Sequence, residues 1–365
     1  MRIGMISPLE MRLPPVGYGG TEMVVSLLTE ELVRRGHDIT LFASGDSVTN
    51  ARLIPGSERH LRGSARDKGI LTMLNVTACL ERAHEFDIIH NHTTFEGLAL
   101  AGLVETPVLT TLHGGLEDDW RLLFQRYRGW YNTISLSAKS LLPSQERFVG
   151  VVYNAIDCDS YPFNPGPRED FDLFLSRISP EKGTHLAIDV ALQSHRRLVI
   201  AGNVDAVDSA YFNEMVLPRV DGEQICYVGE ALYEDKRDLL TRAGCLLATI
   251  TWNEPFGLFM AEAMACGTPV LVFNRGSAPE VVEDGVTGYV VDTVDEMVEA
   301  LERVSEIDPA ACRKRVEMNF DVPRMADNYL SAYHRILDGV TSPGVSKPLL
   351  PIDIALDPDR EGVPV

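Results

Sequence analysis

The sequence predicts an α/β protein made of two doubly wound parallel sheets. Short apolar runs alternate with helical patterns in two separate series, which fits two sheets better than one large one. A stretch rich in Pro, Asn and Asp, residues 154–167 (NAIDCDSYPFNPGP), parts the two series and reads as a hinge. The first strand of each series also runs into a loop of unusual composition, where ligands of doubly wound sheets settle.

In the first series, residues 2–7 (RIGMIS) read as a strand, followed by a glycine-rich loop and a helix over 21–35 that closes at Gly36. HDITLFA is the second strand, and further strands are expected at 87–90, 107–112, 132–135 and 150–153, with helices near 71–83, 95–103 and 116–127. This unit, residues 1–155, has the usual size of one domain. The second series begins with DLFLSR at Asp172 and runs through a helix at 181–193, RLVIAG, a helix near 206–217, QICYVG, a helix at 234–243, CLLAT, PVLVF and TGYVV. It forms a second domain, residues 156–321. Residues 340–365, with five prolines and little periodicity, are expected to be a mobile tail.

At 365 residues, 45% hydrophobic and 24% charged, the chain can bury two full cores. The net charge of −20 is uneven: residues 1–155 carry 17 acidic and 15 basic side chains, and residues 156–365 carry 36 and 18. Such a field opposes nucleic acid and weakens attraction to anionic lipid. Arg52, Arg59, Arg62, Arg66 and Lys68 form a local basic cluster that allows at most weak peripheral membrane contact, and otherwise reads as a solvated face. The apolar run before Pro8 is too short for a signal-peptide core, and no run of about 18 apolar residues suggests a membrane span. Six scattered cysteines without a Cys-x-x-Cys pair read as buried thiols of a cytoplasmic protein.

The stretch TWNEPFGLFMAEAMACGTP sets Glu254 and Glu262 around a Pro-Phe-Gly turn that opens a helix. If residues 257–266 are helical, about 1.5 Å of rise per residue places the carboxylates ~10 Å apart, suited to two ends of one elongated ligand. The backbone N–H groups of Phe256, Gly257 and Leu258 form a helix N-terminus that favours anions and hydroxyl oxygens. In the first loop, Gly19 and Gly20 of GYGG precede a helix capped by Thr21 and let backbone amides approach a phosphate. In the second, SRISPEKG places Arg177 and Lys182 across a strand-to-helix turn, a guanidinium fork and a point charge suited to a diphosphate.

Together with IIHNH, TLHGG, NAID and APEVVEDGVTGYVV, these segments resemble glycosyltransferase family 4, enzymes of the GT-B fold with two Rossmann-like domains, from Arg2 to about Leu337. The resemblance implies that Arg177 and Lys182 bind the donor diphosphate, Glu254 the sugar hydroxyls and Glu262 the ribose, while Gly19 and Gly20 face the diphosphate and acceptor. It implies that His113 of TLHGG contacts the donor sugar and reacting centre, and that a helix at 322–338 crosses back onto the first domain. The implied reaction moves a hexose-type sugar from a nucleotide diphosphate-sugar, UDP-sugar being the family-weighted choice, with retention. Asp157-Cys158-Asp159 spells the Asp-x-Asp of metal-dependent transferases, but it falls in the linker, and Arg177 and Lys182 supply the charge a metal would. No metal or cofactor is expected. The acceptor is left open among small molecules, saccharides and lipid-linked saccharides.

Two rivals share the architecture: a nonhydrolysing nucleotide-sugar epimerase, which lacks a second substrate, and a non-catalytic binding protein. TLHGG and YGGTE speak against the first, and the full set of polar site residues against the second. A phosphorylase-like enzyme would need a pyridoxal lysine, for which the second half before the tail offers only Lys182, Lys236 and Lys314.

Overall fold

A computed structural model describes residues 1–17, 19–93, 95–114, 123–124, 129–142 and 147–339. Tyr18, Gly115, the helix expected at 116–127 apart from 123–124, and the tail 340–365 lie outside the described residues.

The first sheet has seven strands: β1 (Arg2–Ile6), β2 (Asp38–Ser44), β3 (Arg52–Ser57), β4 (Ile88–Asn91), β5 (Val108–Leu112), β6 (Trp130–Thr133) and β7 (Phe148–Val151). Their spatial order is β3-β2-β1-β4-β5-β6-β7, every pairing parallel. The second sheet holds β8 (Asp172–Leu175), β9 (Leu198–Ala201), β10 (Ile225–Tyr227), β11 (Leu246–Ala248), β12 (Val270–Phe273) and β13 (Gly288–Val291), in the order β10-β9-β8-β11-β12-β13. Strand order reverses beside the first strand of each sheet, so the crevice at its carboxyl end is open to a ligand. β9 (LVIA) and β12 (VLVF) are buried along their whole length, as strands covered on both faces must be.

Several sequence expectations need correction. The segment at 52–57 is an edge strand absent from the expected set; Pro55 and Gly56 obscured it, and a proline is tolerated at such an edge. The basic cluster is dispersed: Arg52 meets Glu85 at 3.3 Å, Lys68 meets Glu10 at 2.8 Å, and Arg62 reaches Asp205 in the other half at 3.2 Å. β6 and β7 start two residues before the expected strands, because the aromatic residues Trp130, Tyr131 and Phe148 pair in the sheet. The helix Gly20–Arg34 has Gly19 as its N-cap, so Thr21 lies inside it. Residues 206–219 do not form one helix: a 3₁₀ turn, one α turn, a π turn and a second 3₁₀ turn follow one another, the last containing Pro218, which cannot donate to a preceding turn. Five cysteines are buried as free thiols, and Cys226 is half-buried.

The chain passes between the sheets twice, side by side: Ile156 N donates to Phe320 O at 2.9 Å and Cys158 N to the Asp321 carboxylate at 3.1 Å. After the second passage the helix Val322–Gly339 lies against the first sheet, with Tyr329 and Tyr333 fully buried in a core shared with Ile3, Leu28 and Leu109. Among the described residues, no helix is long and apolar enough to cross a membrane.

Candidate active site

A cavity of about 450 Å³ opens between the carboxyl ends of the two sheets. The first half contributes Gly19, Gly20 and His113 to its wall; the second contributes Arg177, Lys182, Glu254, Phe256, Gly257, Leu258 and Glu262. All the site residues singled out from the sequence therefore share one wall, although they come from both sheets.

The turn after β8 is shaped by Gly183, whose φ is +71° and whose missing side chain makes room for the Thr249 carbonyl oxygen. The helix Thr184–Ser194 accordingly starts beyond it, after a short 3₁₀ turn, and Lys182 is turned inward. Lys182 pairs with Glu254, its ammonium lying 5.2 Å from the centre of the Trp252 ring and 5.6 Å from that of Phe259. Glu254 also accepts a hydrogen bond from the Trp252 indole at 3.0 Å. Arg177 pairs with Glu181 and with Asp208 at 3.2 Å, while its Nε is buried with no partner among the described residues. Both cations are thus held by carboxylates that an entering polyanion must displace.

Gly257 (φ +79°) caps the helix Leu258–Ala265, and its backbone position is open to few other residues. The Phe256 ring points away from any ligand, buried against Tyr153 and Phe320, so only its amide is available. Glu262 has one oxygen engaged, Oε1, which accepts from Lys236 Nζ at 2.7 Å and from the Tyr161 hydroxyl at 2.8 Å. Gly20 approaches Leu258 across the cleft: a β-carbon there would come 3.3 Å from its Cδ1. One at Gly17 would come 2.9 Å from the Glu230 carboxylate. Glycines in this loop let the halves close on each other.

His113 follows β5. Its Nε2 lies 2.8 Å from Nδ1 of His92, and its Nδ1 has no partner among the described residues. Burial pushes its pKa down to about 4, so the ring is neutral at physiological pH. Asn154, also in the wall, has an unpartnered Oδ1. Buried polar atoms are nearly always paired, so Arg177 Nε, Asn154 Oδ1 and His113 Nδ1 around one cavity mark the seat of a polar ligand. Of the Asp-x-Asp pair, Asp157 reaches the wall, whereas Asp159 is exposed and meets Arg313 at 3.4 Å.

Sequence reasoning missed Trp252, Lys236, Tyr161 and His92 as members of this site. Trp252 stood two residues before Glu254 and His92 closed IIHNH, so both lay inside motifs; Lys236 and Tyr161 reach the site from separate elements, and only the fold brings them there.

Two family descriptions match nearly end to end: Glycosyltransferase Family 4 over residues 18–160 and Glycosyl transferases group 1 over residues 162–319. Among curated proteins, the glycogen synthase of Mycobacterium tuberculosis is 26% identical, with 99% of this chain and 100% of that protein covered. Among solved structures, AviGT4, a glycosyltransferase involved in avilamycin A biosynthesis, superposes with a TM-score of 0.72 at 24% identity, covering 93% of this chain and 98% of its own. Anabaena HepE, solved with UDP and glucose, gives 0.72 at 20% identity, covering 92% and 100%. At these identities the two structures speak for the fold alone.

Proposed function

The chain belongs to the family 4 glycosyltransferases, and from that premise we propose that it transfers a hexose-type sugar from UDP-sugar to an acceptor hydroxyl, with retention and without a metal ion. The observation that carries this reading is the cavity itself, where two cations, two carboxylates and a helix N-terminus sit with unpartnered polar atoms of both halves. A nucleotide diphosphate-sugar matches that order of groups. UDP as the nucleotide draws on the HepE complex with UDP and glucose.

In this reading Arg177 and Lys182 exchange their carboxylate partners for the diphosphate and stabilise the charge that grows as it departs. Glu254, released from Lys182, accepts from sugar hydroxyls, and the free oxygen of Glu262 accepts from the ribose. With Glu254 and Glu262 both assigned to hydroxyls, neither serves as the nucleophile of a covalent intermediate, which supports a front-face path in which the leaving diphosphate takes the acceptor proton. Metal independence is supported by the two cations in the wall and by the outward turn of Asp159. The buried free thiols support a cytoplasmic setting.

Thermal unfolding with UDP, GDP and ADP, each with EDTA or with Mg²⁺, tests this. A ligand at 100 times its Kd stabilises the native state by about 2.7 kcal/mol. A shift with UDP that survives EDTA and disappears in Arg177→Ala is expected. No shift with any nucleotide overturns the donor-site assignment, and conversion of a nucleotide-sugar without an acceptor points to an epimerase.

A further inference from the structure

Two histidines lie at and just beyond the end of β4, and the reaction outlined above uses neither. His90 is fully engaged, with the Tyr333 hydroxyl 2.7 Å from Nδ1 and Thr111 Oγ1 2.7 Å from Nε2. His92 differs. It is 2% exposed, its Nδ1 lies 2.8 Å from Nε2 of His113, and its own Nε2 has no partner among the described residues. Beyond the pair is the mirror situation: His113 Nε2 is engaged and its Nδ1 has no partner among the described residues, but His113 belongs to the cavity wall.

A neutral imidazole carries one N–H, so of two facing ring nitrogens one donates and the other accepts. Burial holds both rings neutral. Two arrangements remain. If His113 donates from Nε2, the proton of His92 sits on its Nε2 as an N–H sealed in the interior, and His113 turns a bare lone pair to the cavity. If His92 donates from Nδ1, the interior keeps only an unpaired lone pair, and His113 carries its proton on Nδ1. Both strand one donor and one acceptor, but in different places. Orphaned N–H groups are rarer in protein interiors than under-satisfied acceptors, and the unpaired group of a wall residue can still be satisfied by whatever fills the cavity. The second arrangement therefore wins.

We infer that His92 is a positioning residue that fixes His113 as its Nδ1–H tautomer, so that His113 meets the sugar donor as a hydrogen-bond donor to one of its oxygens. The inference rests on the reading of the cavity as a donor-sugar site. Its chemical consequence is that His113 has no free lone pair: Nε2 is occupied by His92 and Nδ1 carries hydrogen, so His113 cannot take the acceptor proton. That proton goes to the departing diphosphate oxygen, as the glycosidic bond to that oxygen breaks and the acceptor oxygen bonds to the anomeric carbon.

The test is a long-range ¹H–¹⁵N correlation spectrum of the full chain labelled with ¹⁵N-histidine, assigned by the signals lost in His92→Asn and His113→Asn. Protons on Nδ1 of both His92 and His113 are expected. A proton on Nε2 of His113 overturns the inference. The wild-type spectrum decides this even if a variant folds poorly. Kinetics supply a second readout. His92→Asn can still donate from its amide and should keep kcat/KM for the donor near wild type. His92→Leu frees His113 to take either tautomer and should lower it about tenfold, the worth of one hydrogen bond, with the acceptor KM unchanged. Equal losses in both variants, tracking thermal stability, indicate a structural role and count against the inference. Failure of the parent reading looks different: no nucleotide binds, whatever the spectrum shows.

Discussion

Lys182 and Glu254 neutralise each other in a wall where both side chains are largely buried. Removing one partner of such a pair strands the other charge, which costs about 3–5 kcal/mol, whereas removing both can be close to neutral. Lys182→Met should therefore destabilise the protein in urea unfolding, and the double variant Lys182→Met with Glu254→Gln should recover most of that loss. Neither variant should recover turnover, because a missing preorganised donor to a developing anion costs about 10²–10³ in kcat. Additive stability losses in the double variant would contradict the pairing. A second prediction concerns protons. Burial lowers the pKa of His90, His92 and His113 below the ordinary histidine value. The unfolded chain then binds more protons than the native one at any pH between the two values, so stability is fully present above about pH 6.5 and is lost as the pH falls toward 4. Urea unfolding at pH 8, 6.5 and 5 should show this, and His92→Asn should flatten the slope by about one proton; an unchanged slope argues against a buried neutral His92. At this scale the sequence revealed the residues that sit inside motifs, Arg177, Lys182, Glu254 and Glu262. It was silent on Lys236, 26 residues from the Glu262 it contacts, and on Tyr161, because a side chain's partner in space leaves no mark on its own neighbours in the chain.

The turn between β8 and the helix Thr184–Ser194 shows how one backbone position can carry an element's function. Gly183 combines a φ of +71° with a direct approach to the Thr249 carbonyl, so a β-carbon has neither a relaxed conformation nor space. Gly183→Ala should cost about 2–4 kcal/mol and weaken nucleotide binding through displacement of Lys182. Gly222 is the natural control: its φ is +79° but nothing lies within 4 Å, so Gly222→Ala should cost only about 1 kcal/mol of conformational strain and leave binding intact. Equal losses by chemical denaturation would show that the contact with Thr249 is immaterial. The glycines and the alternating apolar runs that build such elements are local properties, which is why both sheets could be read in advance. β3 could not, because Pro55 and Gly56 erase strand propensity and only pairing with β2 restores it. Nor could the break at 206–219, where apolar periodicity persists while the backbone changes from one helical hydrogen-bond pattern to another.

Across the whole molecule, the cavity exists only while the two halves face each other, since His113 and the glycine loop come from one and both cations from the other. Several contacts among the described residues hold that arrangement, Tyr153 packed on Phe256 and Phe320 among them. Leu258 packs against the hydrophobic cores of both halves, and Arg62 pairs with Asp205 across the cleft. A further one is Glu280 of the second half, which accepts hydrogen bonds from the backbone N–H groups of Leu136 and Ser137, both at 2.7 Å, and from the Tyr153 hydroxyl at 2.9 Å. A carboxylate receiving the first amides of a helix is well placed both by charge and by geometry. Nothing in the APEVVEDG run betrays this, since the amides it receives belong to a short helix of the other half, Leu136–Ser140. Each hydrogen bond to a charged group is worth about 1.5–3 kcal/mol, so Glu280→Ala should shift the balance between closed and open arrangements by about tenfold or more. A ligand that needs both halves loses affinity in proportion to the closed fraction, whereas one that touches a single half does not. Glu280→Ala should therefore raise the KM for the nucleotide-sugar by about tenfold, while the free nucleotide, held by Arg177, Lys182 and Glu262 of the second half with only the glycine loop from the first, loses less affinity. Small-angle scattering should show a larger radius of gyration for the unliganded variant than for wild type. An unchanged radius together with an unchanged KM would mean that the other contacts between the halves suffice to hold the cleft, and that Glu280 only caps a helix.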